Sequence, residues 1–156
     1  SLSNPYQDME QPVTKDEVIE SIKADEGYSD TVYFDSKGIP TVGWGHAFLG
    51  KEVPKVGAKF TRQQCEEWLE RDIDIAYTDY QKLGLKDVHP IAAGVIVQML
   101  FNMGFRRFSG FKQFLKYIRV ADYKAAALEM LDSKWHREDV GKRAVRLAWQ
   151  VFKIDY

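Results

Sequence analysis

Apolar residues in the first third of the chain change period twice. Val18, Ile19 and Ile22 recur at helical spacing after Thr14-Lys15-Asp16-Glu17. Those four form a capping box: the Thr14 hydroxyl can accept from the Glu17 amide, and the Glu17 carboxylate can reach back to the amide of Thr14. Gly27 stands where a left-handed residue would stop this helix. Thr31 to Phe34 are β-formers, and Asp35-Ser36-Lys37-Gly38 is turn chemistry, with Gly38 able to take positive φ. Ile39 to Val42 is predicted as the returning strand, and Pro40 predicts an edge position for it. Gly43 and Gly45 within a strand suggest a bulge, or a close approach of another chain or a ligand. A second capping box, Thr61 to Gln64, opens a long helix predicted to run to about Lys82. Ile91 to Phe101, interrupted by Gly94 and Gln98, reads as a buried core helix. Phe101, Phe105, Phe108, Phe111 and Phe114 follow at three- and four-residue steps, a core stripe first. Trp68, Trp135 and Trp149 lie on helical patterns and are expected in the core, whereas Trp44 is expected to line a cleft.

This framework places one carboxylate, Glu26, in the last turn of the first helix and another, Asp35, in the hairpin. The negative end of the helix dipole disfavours an anion at Glu26, and Asp25 beside it adds like charge. Stability alone would favour Lys or Arg, so Glu26 is a candidate for chemistry. A solvated acidic residue is the plain alternative. Asp35 has an ordinary role as a turn cap, and Thr41 one as a β-branched strand residue. Two carboxylates on separate, rigid pieces of backbone are also what acid/base cleavage of a sugar chain requires.

The stretch EGYSDTVYFDSKGIPTVGWGH resembles, without a gap, the pattern of the phage-type lysozymes, glycoside hydrolase family 24. That pattern is an acidic residue and glycine ending the first helix, an Asp at the hairpin, a Thr on the second strand, then Gly-X-Gly-His. FTRQQCEEWLERDIDIA is similar to the family's long inter-lobe helix. QMLFNMGFRRFSGF and SKWHRED, with Arg143-Ala144, resemble its C-terminal lobe, so the likeness runs from about Thr14 to Phe152. The resemblance implies an α+β, two-lobed lysozyme-like fold. A small β-hairpin lobe (13–60) is joined by a long helix (61–82) to an all-helical lobe (83–156), with the active cleft between them. It implies that Glu26 is the general acid, that Asp35 acts on the attacking water, and that Thr41 helps to hold that water. Gly45, Phe101 and Asn102 become expected substrate contacts, and His46 with Asp72 an expected structural pair. No metal or organic cofactor is implied. The implied activity is hydrolysis of the β-1,4 bond between N-acetylmuramic acid and N-acetylglucosamine in peptidoglycan, with inversion. Two departures stand out: the segment between His46 and Phe60 is shorter by about a dozen residues, so a small helix is expected to be missing. Asn102 replaces the Gln of the T-even type.

The remaining features narrow the reading. At 156 residues, 45% hydrophobic and 29% charged, the chain suits one domain with a sizeable core, which the resemblance makes a single catalytic domain over 13–156. No run approaches the ~18 apolar residues of a membrane helix, so no membrane insertion is expected. Residues 1–12 are polar and read as a flexible arm, not a signal peptide. Synthesis in the cytoplasm and action on the wall are therefore expected, by a release route not encoded in this chain. The net charge of −1 hides an asymmetry: residues 1–89 carry 10 Lys/Arg against 17 Asp/Glu, and residues 90–156 carry 12 against 6. A basic C-terminal half could attract an anionic wall polymer, or be a solvated surface on which Lys112, Lys116 and Arg119 fall at helical spacing. Nucleic acid is disfavoured, since no helix-turn-helix, zinc or RNP signature is present. Cys65 is alone and reads as packing rather than a nucleophile. The dispersed His46, His89 and His136 argue against zinc. A monomer is expected. Two rivals remain: a lytic transglycosylase, which would not need Asp35 and Thr41, and a wall-binding relative without activity, which would be expected to lack a carboxylate.

Overall fold

The computed structural model describes residues 14–133, 135–139 and 141–154. The arm expected over 1–12 lies outside them. Helix α1 (Lys15–Glu26) begins one residue after Thr14 and buries Val18 and Ile22, an i,i+4 pair, on one face. Burying two such side chains stabilises by about 1.5–3 kcal/mol each. Gly27 ends the helix with φ 66°, and its amide donates to Lys23 O at 3.1 Å. This left-handed termination is the one its sequence predicts.

Three antiparallel strands follow, β1 (Ser29–Phe34), β2 (Pro40–Gly43) and β3 (His46–Ala47), in the spatial order β1-β2-β3. Tyr33 pairs with Thr41, Phe34 with Pro40, and Thr41 in turn with Ala47. The returning strand is therefore central, not the edge that Pro40 predicts. Pro40 is tolerated because it opens the strand, a position that needs no amide from it. The adjacent ladder bond runs from Asp35 N to Ile39 O, and Pro40 contributes only its carbonyl, to Phe48 N. The free side of β1 is covered by the segment before the next helix: Val32 N donates to Ala58 O and Phe60 N to Asp30 O, both at 2.9 Å. No helix lies between Ala47 and Arg62.

Helix α2 (Arg62–Lys82) is opened by the second capping box. Gln64 N donates to Thr61 Oγ1 at 3.1 Å, and Thr61 N to Gln64 Oε1 at 2.9 Å. The chain divides within this helix into two units, one from Asp16 to Ile75 and the other from Ala76 onward.

The second unit is helical: α3 (Pro90–Met103), α4 (Phe105–Phe108), α5 (Lys112–Arg119), α6 (Tyr123–Leu131), a π-helical turn (Trp135–Asp139) and α7 (Gly141–Phe152). Pro90 starts α3, and His89 Nδ1 accepts from Ile91 N at 3.1 Å. Nearly every residue from Ile91 to Leu100 is buried. Helix α6 packs between α5 and α7, and α7 also reaches α3. Phe108 and Phe114 are buried, while Phe101, Phe105 and Phe111 are half-buried. Lys112, Lys116 and Arg119 are exposed, as their spacing predicts. Trp135 is in the core, but Trp149 is not: it is 56% exposed. On α7 the core takes Ala144, Leu147, Ala148 and Val151, and Trp149 belongs to a second apolar stripe beside them. Small sheet and helical majority together make an α+β fold, the class that the resemblance implies.

Candidate active site

Glu26, Asp35, Thr41, Gly45, His46 and Asp72 all belong to the unit from Asp16 to Ile75. Glu26 is the last residue of α1 and is half-buried. Its carboxylate lies against the backbone of Gly45: a Cβ there would come within 2.6 Å of Glu26 Oε2 and 2.9 Å of its Cδ. Gly45 has φ 76°, which disfavours a side chain independently. Of the two readings for these glycines, close approach is the one found, and Gly45 itself lies in the turn between β2 and β3. Gly43 meets the helix, where a Cβ would lie 2.9 Å from Cys65 Cβ, and Gly45 meets the acid.

Asp35 is pinned by the hairpin. Its Oδ1 accepts from Lys37 N at 2.8 Å and from Ile39 N at 2.9 Å, and Gly38 N closes the turn onto Asp35 O at 3.0 Å. Thr41, only 4% exposed, donates its hydroxyl to Ile39 O at 2.8 Å. Its hydroxyl oxygen therefore offers lone pairs, not a proton, to a further partner. Tyr33 is the cross-strand partner of Thr41. Burial, then the charges of Glu26 and Asp35, push the Tyr33 phenol above its ordinary value. One ring thus feels both carboxylates. Tyr33 has no place in the sequence-derived site, where it is only a β-former; its alternation with Asp35 across the turn from Thr41 was the available signal.

The surrounding residues hold this frame. Trp44 is 4% exposed rather than lining a cleft. Tyr28 packs on it at 4.6 Å, Lys23 Nζ lies 4.6 Å from its ring centre, and the Arg62 guanidinium lies 5.0 Å away. Lys23 also donates to Glu66 at 2.9 Å, linking α1 to α2. The apolar bulk of the indole and the cations above it explain the burial. His46 Nδ1 lies 2.8 Å from Asp72 Oδ2, and the imidazole stacks on Trp68 at 4.8 Å with parallel planes. Phe48 meets both rings edge-on. Burial pushes the Cys65 thiol up, which suits packing and not nucleophilic attack. Among the described residues, no group of three or more His, Cys, Asp or Glu is placed to hold a metal ion.

Phe101 and Asn102 belong to the other unit and are half-buried at the end of α3. Asn102 Oδ1 accepts from the indole Nε1 of Trp135 at 2.7 Å. That bond satisfies a buried donor, a structural role the sequence does not announce.

The family of phage lysozymes matches residues 23–148. A probable T4-type lysozyme 1 from Dictyostelium discoideum is 28% identical over 142 residues, covering 75% of this chain and 83% of that protein. The endolysin of Salmonella phage P22 is 29% identical over 111 residues, covering 70% and 75%. The pre-baseplate central spike protein Gp5 of Enterobacteria phage T4 is 24% identical over 146 residues, covering 79% of this chain and 25% of that protein. Matched by that family over residues 23–148 of its 156, this chain belongs to the phage lysozyme family.

Proposed function

We propose that the chain is a muramidase of the endolysin kind, hydrolysing the β-1,4 bond between N-acetylmuramic acid and N-acetylglucosamine in bacterial peptidoglycan. Glu26 protonates the leaving oxygen. Asp35 takes a proton from a water on the opposite face of the sugar, and Thr41 accepts a hydrogen bond from the O–H that the water keeps. The attack inverts the anomeric centre. Gly45, Phe101 and Asn102 are proposed as sugar contacts, His46 with Asp72 as a structural pair, and the monomer as the working form. No helix of the described residues is long and apolar enough to cross a membrane.

The observation that carries this reading is the different fixing of the two carboxylates. Asp35 is held through Oδ1 alone by two backbone amides, so its second oxygen is not used by the turn. Glu26 sits at the unfavourable end of a helix against a glycine that leaves room for its carboxylate. Thr41 presents an acceptor because its proton goes to Ile39 O. A bare acid without Asp35 and Thr41 would suit a transglycosylase instead.

Mass spectrometry of fragments released from purified peptidoglycan tests the proposal. Reducing muramic ends are expected. Anhydro ends would make the chain a transglycosylase and remove the role given to Asp35. Tight sedimentation with the wall and no fragments would make it a binding relative.

A further inference from the structure

The strongest feature outside the site is an exposed apolar face on α6 and α7. Leu128 is 58% exposed, Val145 49% and Trp149 56%. Leu128, Leu131, Val145, Trp149 and Phe152 line a shallow groove over two alanines, with no polar residue among its lining. Trp149 and Phe152 stack at 5.8 Å, with planes 12° apart. Cations rim this face. Lys124 Nζ lies 4.9 Å from the Phe152 ring centre and Lys153 Nζ 5.6 Å from that of Trp149. Exposed Lys142 lines the adjoining hollow with Val145 and Trp149.

We infer that this face docks peripherally on an anionic lipid surface. Val145, Trp149 and Phe152 on α7, joined by Leu128 and Leu131 of α6 and flanked by lysines, make an apolar face with a basic rim like that of an interfacial amphipathic helix: rings enter the boundary region and ammonium groups meet lipid phosphates. Charge decides between occupants. Residues 90–156 carry a net +6, and a second copy would bring two lysine rims together. An anionic bilayer matches both the apolar centre and the basic rim. The face is built on helices of the unit that begins at Ala76, whereas the proposed catalytic carboxylates belong to the other unit, so docking is independent of the reading of the active site.

Co-sedimentation with vesicles tests this inference, using phosphatidylglycerol-containing vesicles beside pure phosphatidylcholine ones. Binding about tenfold or more stronger to the anionic vesicles is expected, falling as salt rises. Trp149→Glu and the pair Lys142→Glu with Lys153→Glu should each lose it. Lys116→Glu, on α5, should retain it, and cleavage of soluble glycan fragments should be unchanged in all of them. Equal binding to both vesicles, binding to neither, or binding that survives Trp149→Glu would overturn the inference. So would concentration-dependent dimerisation in ultracentrifugation that Trp149→Glu abolishes, since a second copy would then cover the face.

Discussion

Gly45 and Glu26 are coupled by space: a methyl group at residue 45 would stand 2.6 Å from the carboxylate oxygen of Glu26. The glycine lies in the turn between β2 and β3, and the acid ends α1, so the hairpin fixes where the helix can place its last side chain. Gly45→Ala is expected to displace the carboxylate and lower kcat by about 100-fold, the scale of a ~1 Å misplacement. The left-handed backbone adds strain of about 1–2 kcal/mol. Steady-state kinetics on soluble fragments, with a thermal melt, would separate the two effects; unchanged kcat would show that the contact does not position the acid.

Asp35 caps the turn and is proposed to act on the attacking water, and substitution can divide the two. Asp35→Asn keeps an oxygen for the amides of Lys37 and Ile39, so the melt should change little while activity is lost. Asp35→Ala also removes both turn bonds, at about 0.5–1.5 kcal/mol each. An active Asp35→Asn enzyme would leave the aspartate as a turn cap only.

Tyr33 reports on both carboxylates. Burial contributes most to its raised titration, and Glu26 and Asp35 add to it. Glu26→Gln or Asp35→Asn should therefore move the phenol back towards 10.0, read by NMR of labelled tyrosine. The sign for stability follows from the order of proton release: the unfolded chain loses the phenol proton first as pH rises past 10.0. The contribution of Tyr33 is full below that pH and lost as pH rises through its folded value. A phenol indifferent to both substitutions would contradict this arrangement.

Asn102 supports Trp135 through one short bond. Asn102→Ala would leave a buried indole N–H without its acceptor, a loss of about 1–3 kcal/mol. Chemical denaturation of the two proteins measures it directly, and an unchanged midpoint would mean that the bond contributes nothing.

Local chemistry made much of this fold legible. Gly27 and Gly38 read correctly because a left-handed residue leaves few alternatives to glycine, and the box from Thr61 to Gln64 read correctly because its two bonds are local. Strand β3 was not legible: two residues carry no period, and its pairing depends on the turn at Trp44 and Gly45. Pro40 misled because its missing amide matters only where the ladder needs one. Trp149 misled because helical spacing accommodates two apolar stripes on α7, and periodicity does not say which is buried. The placement of Tyr33 opposite Thr41 follows from strand register, which a sequence pattern does not fix alone.

The most direct measurement of the central claim is lysis of purified cell-wall sacculi by the parent and Glu26→Gln proteins at matched concentration, with a thermal melt of each. The glutamine variant should lose nearly all activity yet melt no lower than the parent. Removing a negative charge from the C-terminal end of α1 favours the helix by about 0.3–1 kcal/mol. Lysis retained by a folded Glu26→Gln protein would contradict the assignment of Glu26 as the acid.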